Sequence, residues 1–320
     1  MDDRVNWLLG GDPWVEYRTR LDLLNQAESD SEVINARENM LSNPQIRSLI
    51  SEFSHWEEEV VSNHKSAGLL VHKLIFLADI GVTVDDPGIQ DITNVVMKRI
   101  TENGIIKVLI NVPVHFGGTG KNDWGWALCD TPNLFYALAK LGMRDDPTLI
   151  KGAAALKAAI KDNGWPCAVS PELGHFRGPG RKDDPCPYAT LILLKALSQF
   201  SGFKGGKECH IAAEALLNLW TCSRERHPYM FYMGTDFRKL KAPFVWYDIL
   251  HVTEVLSQLD WLKEDTRLQE MMDCIKENAD GNGLFKPQSE WKAWNGWEFG
   301  QKKTPSKWVT FLALRMMQRM

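Results

Sequence analysis

No stretch of the 320-residue sequence is long and apolar enough to cross a bilayer, and no basic segment near its start leads into an apolar one. A transmembrane segment is therefore not expected, and the expected location is cytoplasmic. An excess of positive charge is missing as well: 37 Lys and Arg stand against 41 Asp and Glu, a formal charge of -4. That balance lacks the basic footprint of nucleic-acid binding, so no nucleic-acid partner is expected. Cysteine is sparse. The six residues, Cys129, Cys167, Cys186, Cys209, Cys222 and Cys274, are scattered and never form a CxxC pair. This argues against a disulfide framework and for a reducing compartment, with most of the thiols acting as small buried fillers.

What the chain does have is tryptophan, thirteen in all, many of them beside glycine: "NDWGW" at 122–126, "DNGWPC" at 162–167 and "WKAWNGWEFG" at 291–300. It also has a period. Helix starts recur at Asp85, Asp145, Gly205 and Glu264, in steps of 60, 60 and 59 residues. Asp before Pro, at the first two of these starts, is a good N-cap, and Asn-Gly or Asp-Gly marks the stops. Between them lies a more apolar series over 66–81, 131–142, 188–202, 246–260 and 306–320. Amphipathic and apolar helices alternating at a fixed period predict stacked helical hairpins, because one hairpin cannot bury its own face. The expected fold is all-α, an α/α toroid of about six helical hairpins with a central cavity lined by the apolar series. It forms a single domain over 1–320, with atypical N-terminal helices in 1–60 and the repeats in 61–320.

The Gly-Trp loops preceding helices at this period resemble the terpenoid cyclase and protein prenyltransferase superfamily over roughly residues 60–320. "DPWVEYRTRLDLL", "WYDIL" and "PSKWVTFLALRMM" resemble an uncharacterised prokaryotic squalene-cyclase-like branch of it. The resemblance implies an isoprenoid or other apolar, or diphosphate-bearing, ligand in the cavity, and transferase or cyclase chemistry. The sequence departs from the family's pattern in lacking the Asp-x-Asp-Asp acid of the cyclases: "VDDPG", "RDDPT" and "KDDPC" all fail it. The prenyltransferase β subunits hold zinc with Asp-x-Cys at one inner helix and the His of Asp-x-x-His at a later one. Asp184-Pro-Cys186 and Asp248-Ile-Leu-His251 match in part, which implies zinc on Asp184, Cys186 and His251.

Around these residues the chemistry is consistent but open. A cysteine at a helix N-terminus near Arg177, Arg181 and Lys182 should have its thiolate stabilised, with Cys167 and His175 as reserve ligands. The same cations, in a glycine-containing loop, could grip a diphosphate. Trp165, Tyr188 and Trp246 offer aromatic faces to a ligand or a carbocation, and Asp184 and Asp248 are the candidate catalytic acids. The alternative for each is structural: Asp184 a helix cap, Cys186 a buried small residue, His251 a core histidine, the tryptophans packing staples. Two other classes of function stay open. A carbohydrate-active toroid would use Glu290, Glu298 and Asp123 as its acids, and a binding or scaffold protein would need none of them. A protein partner is named by no feature.

Overall fold

Thirteen α-helices and one two-stranded sheet make up most of the regular structure of the described residues, so the chain is mostly helical but not all-α. The computed structural model describes residues 2–176, 178, 183–228 and 230–320. Arg177, Arg181 and Lys182, the cations of the expected diphosphate loop, lie outside the described residues. The chain divides into two units, one of Met1–Ser51, Asp79–Val82 and Gly234–Met320, the other of Glu52–Ala78 and Thr83–Met233.

The first unit begins with α1 (Asp3–Leu9), α2 (Pro13–Asp22), α3 (Ser31–Ser42) and α4 (Pro44–Ser51). The second carries most of α5 (Leu70–Ile80), then α6 (Ile89–Met97), β1 (Val108–Asn111), β2 (Asn122–Gly125), α7 (Thr131–Leu138), α8 (Pro147–Ala158), α9 (Pro187–Leu197) and α10 (Lys207–Cys222). The first unit resumes with α11 (Ile249–Leu256), α12 (Thr266–Lys276) and α13 (Lys307–Arg319).

Aspartate sets several starts as the sequence predicts. Asp146 accepts the N–H groups of Thr148 and Leu149 at 2.8 and 3.1 Å, with Pro147 as the first helical residue. Asp265 caps α12 through the Arg267 N–H at 2.9 Å. The first predicted start differs. Asp86 turns its carboxylate back to the Thr83 N–H at 2.7 Å, and the helix begins only at Ile89, after Gly88 with φ at 84°. An aspartate that closes its own turn is no longer available to cap the next helix.

The all-α expectation fails in the connection from α6 to α7. Val108–Asn111 pairs antiparallel with Asn122–Gly125, placing Leu109 opposite Trp124. The apolar, β-branched run "IIKVLINV" suits a pleated surface better than a loop, and the Arg99 guanidinium covers the Trp124 ring at 4.5 Å.

The two units have their own cores. In the first, the tryptophan-glycine loop after α12 is a packing staple: Trp297 lies 5.2 Å from Trp14 and 5.4 Å from Trp294, and Trp294 lies 5.8 Å from Phe299. In the second, α7 and α9 are buried along their whole lengths, so both read as inner helices. Here α8 comes so close to the turn after α6 that a Cβ on Gly152 would stand 2.1 Å from the Gly104 carbonyl oxygen and 2.6 Å from Phe135. Gly152→Ala is expected to cost about 1–3 kcal/mol, as overpacked cores do. Urea denaturation checks it through a lower midpoint at unchanged slope.

Candidate metal centre

Three residues from two loops of the second unit bring metal-ligating atoms within 4.8 Å of one another: His64, Cys129 and Asp130. Their placement follows from the helix starts. Asp130 occupies the N-cap position of α7, with Cys129 just before it, and His64 lies in the loop leading to α5. Cys129 and Asp130 are buried and His64 is half-buried. The Cys129 thiol donates to Asp130 Oδ2 at 3.4 Å, and His64 Nδ1 stands 4.0 Å from the same oxygen. The imidazole is held against the ring of Tyr188 at 5.7 Å, and the Tyr188 hydroxyl accepts from Asn133 of α7 at 3.5 Å.

Two more thiols, Cys167 and Cys186, lie near enough to act on Cys129 and on each other, but join no group of ligand atoms within 4.8 Å of one another among the described residues. The neighbouring Cys167 pulls the Cys129 thiol down, but burial and the nearby Asp130 and Cys186 outweigh it and push Cys129 up to about 12. Cys167 is raised by the neighbouring Cys129 and by burial. Burial also raises Asp130 above the usual carboxylate range.

Cys186 is the N-cap of α9 and its sulfur accepts the Ala189 N–H at 3.4 Å. The sequence predicts a stabilised thiolate there. The structure differs: the neighbouring Cys167 and desolvation push the thiol well up, and the helix N–H group that favours the thiolate does not prevail. Asp184 is engaged elsewhere, in an ion pair with Arg226 at 2.5 Å. The His175 N–H donates to the Gly117 carbonyl, and its side chain is exposed.

His251 belongs to the other unit. Its Nδ1–H donates to the Trp246 carbonyl at 2.9 Å and its ring stacks on Phe244 at 5.0 Å. Asp248 caps α11 through the His251 N–H at 3.0 Å, and burial pushes its carboxyl up to about 7. Trp165 is fully buried, its Nε1–H donating to Leu156 and its backbone N–H to Thr190 Oγ1. Of the acids considered for carbohydrate chemistry, Glu298 caps α13, accepting from Trp308 N–H at 2.6 Å, Lys307 N–H at 3.1 Å and Ser306 Oγ at 3.0 Å. Glu290 stands 3.9 Å from Lys302, and Asp123 accepts from Thr119 at 3.1 Å.

Sequence reasoning thus places Cys186 and the reserve ligand Cys167 beside the cluster and misses His64, Cys129 and Asp130. The available signal was positional, since Cys129 and Cys186 each immediately precede or begin the start of an inner helix.

Fold and site together define a mostly helical protein with a buried thiol and carboxylate beside a half-buried imidazole, a cluster that could hold a metal ion. No family model matches the chain, and no curated protein matches it. Among solved structures it is similar to a protein from Actinoplanes, at 12% identity and a TM-score of 0.43 over 96% of this chain and 89% of that one.

Proposed function

We propose that this chain is a zinc-binding protein on an α/α-hairpin scaffold, with the metal at the N-terminal ends of inner helices. The observation that carries the reading is the convergence of His64, Cys129 and Asp130 within 4.8 Å. Imidazole nitrogen, thiolate sulfur and carboxylate oxygen are the donors zinc takes, at about 2.0–2.3 Å. Sulfur among them disfavours magnesium and calcium, which take oxygen. Bound zinc would hold the thiol deprotonated and supply a fixed positive charge in a buried site. His64 and Cys129 would bind it, Asp130 would bind or orient, and Tyr188 would keep the imidazole in place. Protein purified without added metal or chelator is expected to carry about one zinc per chain. Elemental analysis should find it lost in His64→Ala and Cys129→Ser. A wild-type protein that stays metal-free after dialysis against zinc overturns the reading.

A second reading keeps the ligand implied by the resemblance, an apolar or diphosphate-bearing small molecule in a toroid cavity. Cys186 favours it, as the N-cap of α9, where the prenyltransferases that the sequence resembles place a zinc ligand. Calorimetry with farnesyl diphosphate and zinc-loaded protein tests it, and no heat at high micromolar ligand counts against it.

A further inference from the structure

The three ligands of the cluster are not held alike. Cys129 and Asp130 are placed by the start of α7, whereas His64 sits in the loop before α5 and is the one of the three that is only half-buried. Two donors on one zinc, each at about 2.0–2.2 Å, stand no more than roughly 4 Å apart. His64 Nδ1 is 4.0 Å from Asp130 Oδ2. Whatever holds the His64 loop in place therefore decides how well the site binds.

The loop is pinned at both ends. Before it, Val61 pairs with β1, its N–H donating to the Leu109 carbonyl at 2.8 Å and its carbonyl accepting from the Asn111 N–H at 3.1 Å. After it, the Glu59 carboxylate accepts the Leu70 N–H at the start of α5, at 2.8 Å. Within it, the Ser66 N–H closes on the Asn63 carbonyl at 2.9 Å, a turn that sets local shape rather than position. His64 itself is met from outside the loop at two points. Tyr188 lies against its ring, and His72, in the first turn of α5, brings its Nε2 to 2.8 Å from the His64 carbonyl oxygen.

A carbonyl oxygen only accepts, so this contact puts the proton of His72 on Nε2 and leaves Nδ1 an acceptor. His72 is 1% exposed, and its Nδ1 is buried with no hydrogen-bond partner among the described residues. Packing does not explain the residue. Leucine or phenylalanine would fill the place without an unpaired buried nitrogen, whose cost is at least as large as the gain from the single bond. What the histidine adds is a donor on a rigid ring, aimed at the main chain of a metal ligand. From this we infer that His72 is a positioning residue of the metal centre, holding His64 within reach of Cys129 and Asp130 through its backbone. The inference rests on the zinc reading and adds to it a residue that does not touch the ion. It also ties the half-buried ligand to the body of α5, much as outer partners orient the side chains of ligands elsewhere.

Zinc affinity, measured by competition with a chromophoric chelator, tests this. His72→Phe keeps a ring in the same place and removes the donor. It is expected to bind about one zinc per chain, about 10–100-fold more weakly than the wild type, the range for losing an outer partner of a metal ligand. His72→Gln, whose amide nitrogen extends about as far as Nε2, should recover most of that loss. A purely structural role would instead lower the thermal midpoint of the metal-free protein and leave the zinc Kd as it was. Unchanged affinity in His72→Phe, or equal weakening in both variants, overturns the inference and leaves the zinc reading standing. No zinc uptake by the wild type overturns both. Should the variants fail to fold, ¹⁵N NMR of the zinc-loaded wild type decides: His72 protonated on Nε2 supports the bond to the His64 carbonyl, and protonation on Nδ1 overturns it.

Discussion

Stripping the metal from zinc-loaded protein with a chelator is expected to lower its thermal unfolding midpoint by about 8–16 °C. The figure follows from linkage. A ligand that binds only the native state, at a thousandfold over its Kd, adds about 4 kcal/mol, and about 1 kcal/mol shifts the midpoint by ~2–4 °C in domains of 150–250 residues. The loss should concentrate in the second unit. The loop before α5 and the start of α7 converge there on one cluster, and without the ion the Cys129 thiol and the Asp130 carboxylate stay buried beside each other. Differential scanning calorimetry with and without chelator checks the size, and hydrogen exchange checks the place. Amides near Cys129 and Cys186 should exchange faster in the stripped protein while those of α13 stay unchanged. A melt indifferent to chelator, on protein shown to contain zinc beforehand, would mean the ion adds nothing to folding.

Arg315→Ala is expected to destabilise the first unit by about 1.5–3 kcal/mol, the cost of losing hydrogen bonds between charged groups in a buried cluster whose carboxylates each keep another cation. Arg315 lies on α13, with 9% of its surface exposed. Its guanidinium reaches Asp22 at 3.1 Å and Glu254 at 2.9 Å. Burial opposes the charge, but Glu254, Asp22 and Asp79 together hold its pKa above the ordinary arginine value. Glu254 keeps Arg319 at 3.0 Å and Asp22 keeps Arg18 at 2.5 Å when Arg315 is lost, so each carboxylate retains one cation of the two. Chemical denaturation gives the loss directly. The double variant Arg315→Met with Glu254→Leu should cost less than the sum of its single changes, because the second removes the carboxylate that the first left short of a partner. Additive losses would mean the pair contributes no coupling.

Much of the fold was legible because its signals are local. Asp146-Pro147 and Asp265 cap where the sequence places them, and the apolar series gives helices at 131–138, 187–197 and 307–319. The hairpin of β1 and β2 was hidden by its second strand, where "NDWG" reads as a loop until Trp124 is seen opposite Leu109. Asp86 misled for a related reason: the same residue type caps a helix or closes a turn, and the choice depends on Thr83. The cluster was harder. Cys129, Cys167 and Cys186 have no short spacing between them, so nothing in the linear order separates metal ligands from buried fillers. That Cys129 and Cys186 precede or cap two helices that pack on each other, α7 and α9, is visible only in the folded chain. Cys186 was found through its helix start, whereas His64, in a loop of ordinary polar composition, could be found only from the folded chain.

The pairing of Asp22 with Arg315 spans 293 residues, and α13 packs on both α1 and α2. The first unit is therefore a clasp whose two halves are made far apart in the order of synthesis. On the ribosome the segments of the second unit emerge together and can fold while the chain is still growing. Helices α1 and α2 can pack on each other and on α3, but the faces they turn to α13 must wait for it. Closing contacts over such a separation is slow, and half-finished surfaces of this kind are those that chaperones shield. Heterologous expression should thus be more sensitive to damage in the last helix than its thirteen residues would suggest.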